Sequence, residues 1–174
     1  HITTPDGTGS ITISDAAVNV DPNLATRKEA TAEVVKQLHT LGIAQPKVAF
    51  LSATESPIPA VPSSMEGDAL CTWAKANIDG AEFSGPLAFD LIMSPNSVAA
   101  KKLTDDPVAG HADAIIVPDI VSGNALFKSF VYLAGGCAGG IVMGAKVPIL
   151  LTSRADPAAA RLSSVALGAI MAAA

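Results

Sequence analysis

The stretch Asp113–Arg154, DAIIVPDIVSGNALFKSFVYLAGGCAGGIVMGAKVPILLTSR, constrains the chain most tightly. Ala114–Val117 is a short apolar run bounded by Asp113 and by Pro118-Asp119, the pattern of a strand buried on both faces. Ser122-Gly123-Asn124 then opens a helical pattern that runs to about Ala134. Val147–Leu151 reads as a second buried strand leading into Thr152-Ser153-Arg154. Asp156-Pro157 follows, an N-cap residue with proline at the first helical position. Two polar loops thus end at helix starts. In a parallel α/β sheet such loops share one edge, where ligands bind. Free N–H groups at a helix start favour an anion, and Arg154 adds a cation whose fork matches phosphate.

The rest of the chain repeats the alternation. Ile11–Ala17 reads as a strand, the one expected exception to a parallel sheet, near an edge. Leu24–Leu41 is an amphipathic helix with Ala30, Val34, Leu38 and Leu41 on one face and Arg27, Lys28, Glu29, Glu33 and Lys36 on a wet face, stopped by Gly42. Lys47–Ser52 is a strand and Ala53–Ser64 a proline-containing loop. A helix follows from Ser64 to about Ala76, with Leu70 and Trp73 inward. Gly80–Pro86 reads as irregular, Leu87–Ile92 as a strand and Pro95–Leu103 as a short helix. This order predicts a single α/β domain over residues 1–174, a mostly parallel sheet flanked by helices.

Bulk properties exclude several functions. The formal charge of −5 argues against nucleic acid or an anionic membrane as partner. Ser129–Ala145 lacks charge, with Gly136, Gly140 and Gly144 in a small-residue pattern, but it is too short and glycine-broken to span a bilayer. No signal or transit peptide is read, and Cys71 and Cys137 read as free thiols, so a cytoplasmic protein is expected. His39 and His111 have no spaced partners, so no metal site is expected. No Walker A motif or strand-linked GxGxxG is present.

The segments VPDIVSGNALFKSFVYLAG, GIVMGAK and VPILLTSRAD resemble the C-terminal part of the phosphate acetyltransferase/phosphate butyryltransferase family, closer to the butyryl branch. ITISDAAVNVDP, PKVAFLSATE and SGPLAFD match upstream, in order. The resemblance implies a two-domain, isocitrate dehydrogenase-like acyltransferase fold whose N-terminal part is absent here. It implies a homodimer, and a C-terminal helix over 156–174 that packs on the missing part or on another chain. It implies acyl-CoA and inorganic phosphate as substrates, with no tightly bound cofactor, no metal, no nucleic acid and no membrane. Arginines from the missing part complete the family's active site, so this chain alone is expected to need it for turnover.

The resemblance marks Ser153 and Arg154 as catalytic: the serine toward the leaving sulfur, the arginine toward phosphate or the acyl carbonyl. A bland alternative is a polar loop whose arginine pairs with a carboxylate. The aspartate that the acetyl branch carries as base falls on Ala160, and Asp156 is its possible substitute, weighed against a plain N-cap role. Asp119, Ser122, Gly123, Asn124 and Lys128 form a second constellation for anionic oxygen, against the alternative of a helix cap and a solvated lysine. Ser52 and Thr54, with Glu55, follow a strand end and are candidates to line the same cleft, as is Asp90. A non-catalytic acyl-CoA-sensing module is the alternative to an enzyme.

Overall fold

The computed structural model describes residues 1–174. Its strands are β1 (Ile2–Thr3), β2 (Ser10–Ser14), β3 (Lys47–Leu51), β4 (Glu82–Leu87), β5 (Ala114–Ile116), β6 (Cys137–Ala138), β7 (Gly140–Val142) and β8 (Ile149–Leu151). Its helices are α1 (Leu24–Thr40), α2 (Pro62–Asn77), α3 (Phe89–Met93), α4 (Pro95–Ala100), α5 (Ile120–Tyr132) and α6 (Ala158–Ala173). One sheet runs β4-β3-β5-β2-β1-β6, and β7-β8 is a separate antiparallel pair. Strands β4, β3, β5 and β2 are mutually parallel; β1 is antiparallel to both of its neighbours.

Alternation along each strand builds two cores. Val48 and Phe50 of β3, with Ala114 and Ile116 of β5, face Val34, Val35 and Leu38 of α1 and Leu70 of α2. Ala49 and Leu51, with Ile115 and Val117, face Leu91 and Ile92 of α3, Val98 of α4 and the inner side of α5. The sheet is therefore covered on both faces. Trp73 is half-buried against the first core. Both cysteines are free, Cys71 buried and Cys137 partly so.

Four expectations are corrected. Ser10–Ser14 lies inside the sheet, parallel to β5, and β1 is the antiparallel exception. Gly80–Pro86 holds all of strand β4 but its last residue, Leu87; Pro86 is tolerated there because β4 is an edge strand. Phe89–Met93 is a short helix rather than part of a strand. Ile149–Leu151 is not a buried strand: it pairs only with β7, and its residues are 39–49% exposed. No helix is long and apolar enough to cross a membrane.

Because β2, β3 and β5 are parallel, the segments that follow them, at Asp15, Ser52 and Pro118, emerge on one edge. The loop after β2 holds its own shape. The Asp15 carboxylate accepts the N–H groups of Ala17, Val18 and Asn19 and the Asn19 Nδ2, at 2.7 to 3.0 Å. Burial pushes its pKa up, but these N–H donors outweigh burial and hold it below the ordinary carboxylate value. The loop rests on α5 at Gly123. A Cβ built there would lie 2.3 Å from the Asp15 carbonyl oxygen.

Two consequences follow from this contact. Glycine to alanine inside a helix ordinarily stabilises by about 1 kcal/mol. At Gly123 the sign reverses: Gly123→Ala overpacks the loop and loses about 2 kcal/mol in urea unfolding. Asp15→Asn loses about 1 kcal/mol at neutral pH, allowing for partial exposure. A depressed folded pKa gives stability present above the unfolded pKa and lost as pH falls through the folded one. The Asp15→Asn deficit therefore closes as acid is added, which urea midpoints along a pH series would record.

Candidate functional site

A cleft of about 710 Å³ lies between α1, the loop after β2, α5 and the β7–β8 pair. Thr26, Glu29, Ala30 and Glu33 of α1 form one wall, and Asn124, Phe127 and Lys128 of α5 another. Ile141 and Val142 of β7, with Met143 just after it, line the apolar part, and Ser153 and Asp156 close the mouth beyond β8.

The structure brings four of the candidate residues to this cleft: Ser153, Asp156, Asn124 and Lys128. Asn124 and Lys128 share a helix face, one turn apart. The Asn124 Nδ2 donates to the Ala16 carbonyl at 3.2 Å, so the amide also braces the loop after β2. Lys128 is exposed and has no carboxylate within ion-pair distance.

Ser153 and Asp156 form a local turn. The Asp156 carboxylate accepts the Ser153 backbone N–H at 2.5 Å, and the Ser153 Oγ accepts the Ala155 N–H at 3.3 Å. The N-cap of α6 is Pro157, so Asp156 braces the serine loop instead of capping the helix. The Asp156 carbonyl accepts Nε and Nη2 of Arg161 at 3.3 and 3.1 Å, which ties the loop to the first turn of α6. Ala160 is buried in α6. Arg154 is exposed, makes no ion pair and lies outside the cleft lining.

The other candidates stand apart. Asp119 is the N-cap of α5: its carboxylate accepts the Ser122 N–H at 2.8 Å and the Ser122 Oγ–H at 2.9 Å. Gly123 is used against Asp15, as described above. Ser52 is buried, with its hydroxyl 3.0 Å from that of Ser63. Thr54 bonds within its own turn, to Ser56. Glu55 and Asp90 share Lys101 at 2.5 and 3.3 Å. None of these residues lines the cleft. Nowhere do three His, Cys, Asp or Glu side chains converge as metal ligands would.

Sequence reading missed two parts of the wall. Ser14–Asn19 contributes a full side of the cleft, and its sequence signal was the family-like segment ITISDAAVNVDP, whose residues to Ala17 read as strand. Glu29 and Glu33 were read as the wet face of an amphipathic helix. With Asp15 and Asp156 they place four carboxylates at the cleft beside one lysine side chain, Lys128. The α1 wall thus repels anions, and the α5 wall attracts them.

Comparison with known proteins agrees with this architecture. The family model "Phosphate acetyl/butaryl transferase" matches residues 2–170. A phosphate acetyltransferase of Rhizobium meliloti is 40% identical over 170 residues, covering 97% of this chain and 54% of that protein. A probable phosphate butyryltransferase of Bacillus subtilis is 38% identical over 164 residues, covering 94% of this chain and 54% of that protein. The crystal structure of a branched-chain phosphotransacylase from Enterococcus faecalis superposes with a TM-score of 0.90 at 33% identity, over 98% of this chain and 61% of that one. Acetyl and butyryl relatives match to a similar degree, so these identities do not separate the two branches. The chain spans about half the length of the curated relatives it matches. It belongs to the phosphate acetyl/butyryltransferase family.

Proposed function

We propose that this chain carries the CoA-thioester side of a phosphate acyltransferase site for short, butyryl-like acyl groups. The reaction is acyl-CoA + phosphate ⇌ acyl phosphate + CoA. A phosphate oxygen attacks the thioester carbonyl carbon, the C–S bond breaks, and its electron pair leaves on sulfur as a thiolate that then takes a proton. The observation that carries this reading is the meeting of Ser153 and Asp156 with Asn124 and Lys128 at one cleft.

The roles follow from position and chemistry. The Ser153 hydroxyl donates to the departing sulfur. No histidine side chain bonds to it, so it is not activated as a nucleophile. Arg154, unpaired and one residue from Ser153, meets phosphate arriving at the mouth. Lys128 and the Asn124 amide hold anionic oxygen on the α5 wall. Asp156 fixes the Ser153 loop through the Ser153 N–H, and its second oxygen is placed to accept the thiol proton in the reverse direction. Glu29 and Glu33 keep phosphate groups off the α1 wall, which leaves Val34, Ile141, Val142 and Met143 to the uncharged acyl chain.

Leu162, Val165 and Ile170 of α6, three exposed apolar side chains, share one face of the helix. We assign that face to contact with the remaining half of a family-length protein or with a second copy, which would also supply further cations to the cleft. A second reading, a module that binds acyl-CoA without turnover, is favoured by Ala160 and by the single cleft lysine.

Thiol release from butyryl-CoA tests the proposal. Release is expected to require phosphate and to fall about a hundredfold in Arg154→Ala, equivalent to about 2.7 kcal/mol of transition-state stabilisation. Ser153→Ala is expected to lower kcat with KM nearly unchanged. Phosphate-independent release would make the protein a thioesterase. Saturable CoA binding without release, both alone and in a longer form carrying the preceding half, would favour the binding module. In an acyl-chain series, kcat/KM for butyryl-CoA should exceed that for acetyl-CoA by about tenfold or more, the worth of added methylenes in an apolar pocket. Equal values would remove the acyl role of β7.

A further inference from the structure

Arg27 carries the only buried side-chain nitrogens without a hydrogen-bond partner. It lies near the start of α1, 1% exposed, and not on the wet face where the helical pattern puts it. Its Nη1 donates to Glu66 Oε2 of α2 at 2.8 Å. Nε and Nη2 are unmet. Those two nitrogens make up one whole edge of the guanidinium, the edge that takes a carboxylate through two parallel N–H···O bonds. Donors buried and unmet cost free energy, more so on a charged group. The empty edge therefore calls for a carboxylate.

Two carboxylates act on Arg27. Burial pulls its pKa down; Glu66, by charge and by hydrogen bond, and Asp119, by charge, push it back up. Glu66 is already spent on Nη1. Asp119 makes no ion pair with Arg27 in this structure. Each Asp119 oxygen accepts one bond from Ser122 and keeps a lone pair free. Asp119 can thus cap α5 and meet the Arg27 edge at the same time.

The two residues sit behind opposite walls of the cleft. Arg27 follows Thr26, which lines the cleft from α1. Asp119 caps the helix that presents Asn124 and Lys128 from the other side. Ile120 N–H donates to the Val20 carbonyl at 3.1 Å, so the start of α5 is already tied to the segment leading into α1.

We propose that Arg27 is a positioning residue: its open edge receives the Asp119 carboxylate when the cleft closes on acyl-CoA, and this pair sets the spacing between α1 and the Asn124–Lys128 face. The inference rests on the reading of the cleft as an acyl-CoA site. The structure then represents the open state, with the pair not yet made. Arg27 touches no substrate. It acts through Asp119 and through the α1 wall.

Equilibrium binding of butyryl-CoA to the full chain tests this with Arg27→Lys, Asp119→Asn and the double variant. Lysine keeps the charge and removes the two-pronged edge; asparagine keeps the N-cap and removes the charge. Each single variant is expected to raise Kd about tenfold, and the double variant to raise it no further than either alone. The chain has three arginines, Arg27, Arg154 and Arg161, so its 15Nε spectrum is readily assigned. The Arg27 Nε signal should move on adding butyryl-CoA to the wild type and stay fixed in Asp119→Asn. That readout also covers the case in which Arg27→Lys does not fold. Wild-type affinity in Arg27→Lys, additive losses in the double variant, or an Arg27 signal that moves equally in Asp119→Asn would overturn the positioning role alone. A wild-type chain that binds no butyryl-CoA would overturn the acyl-CoA reading and this role with it.

Discussion

The contact between Gly123 and the Asp15 carbonyl sets the geometry of the whole site. It lets the loop after β2 lie against the first turn of α5 with no side chain between them. The Asp15 carboxylate shapes that loop by taking three backbone N–H groups and one amide, and the Asn124 side chain fastens it from the helix side. Loop, helix start and cleft wall are therefore one unit. Most of its polar groups are used on each other before any ligand arrives, which is what a preorganised wall requires. Few are left over, and Lys128 is the prominent one.

Where local chemistry decides the structure, the sequence was readable. Leu24–Thr40 declares itself by its apolar stripe and by Gly42, whose φ of +92° ends the helix. Ala114–Ile116 declares itself as an apolar run between Asp113 and Pro118. Failures came where an apolar run had several possible partners. Val147–Leu151 is as hydrophobic as a central strand, yet it pairs with Gly140–Val142 and leaves its side chains exposed. Gly80–Pro86 looked irregular because of its proline, and only its place at the sheet edge makes that proline harmless. For such runs hydrophobicity decided neither how much is buried nor against what.

The site was legible only in part, for a related reason. Ser153, Asp156, Asn124 and Lys128 come from a turn and a helix well separated along the chain; the first three stood out by residue type near a helix start, and Lys128 by sharing a helix face with Asn124. Asp119 and Ser122 stood out equally, yet they bond to each other at the cap of α5 and do not line the cleft. A polar residue before a helix serves the backbone first; only what backbone donors leave over can serve a ligand. The acidic character of the α1 wall was invisible because Glu29 and Glu33 obey the rule for a solvated helix face. Solvated and cleft-lining are the same pattern until the hairpin opposite is in place.

That hairpin also bears on the electrostatics. Four carboxylates and one lysine side chain line the cleft, while a CoA thioester and phosphate together bring several negative charges. A site of this balance holds such a pair only if cations come from outside the cleft lining. Arg154 is one, exposed and unpaired beside the serine. Nearby, β8 and α6 expose leucine, isoleucine and valine side chains, each worth about 1.5 to 3 kcal/mol when fully covered. If the surface proposed above to cover those side chains is basic, one contact would meet both the exposed apolar residues and the charge deficit.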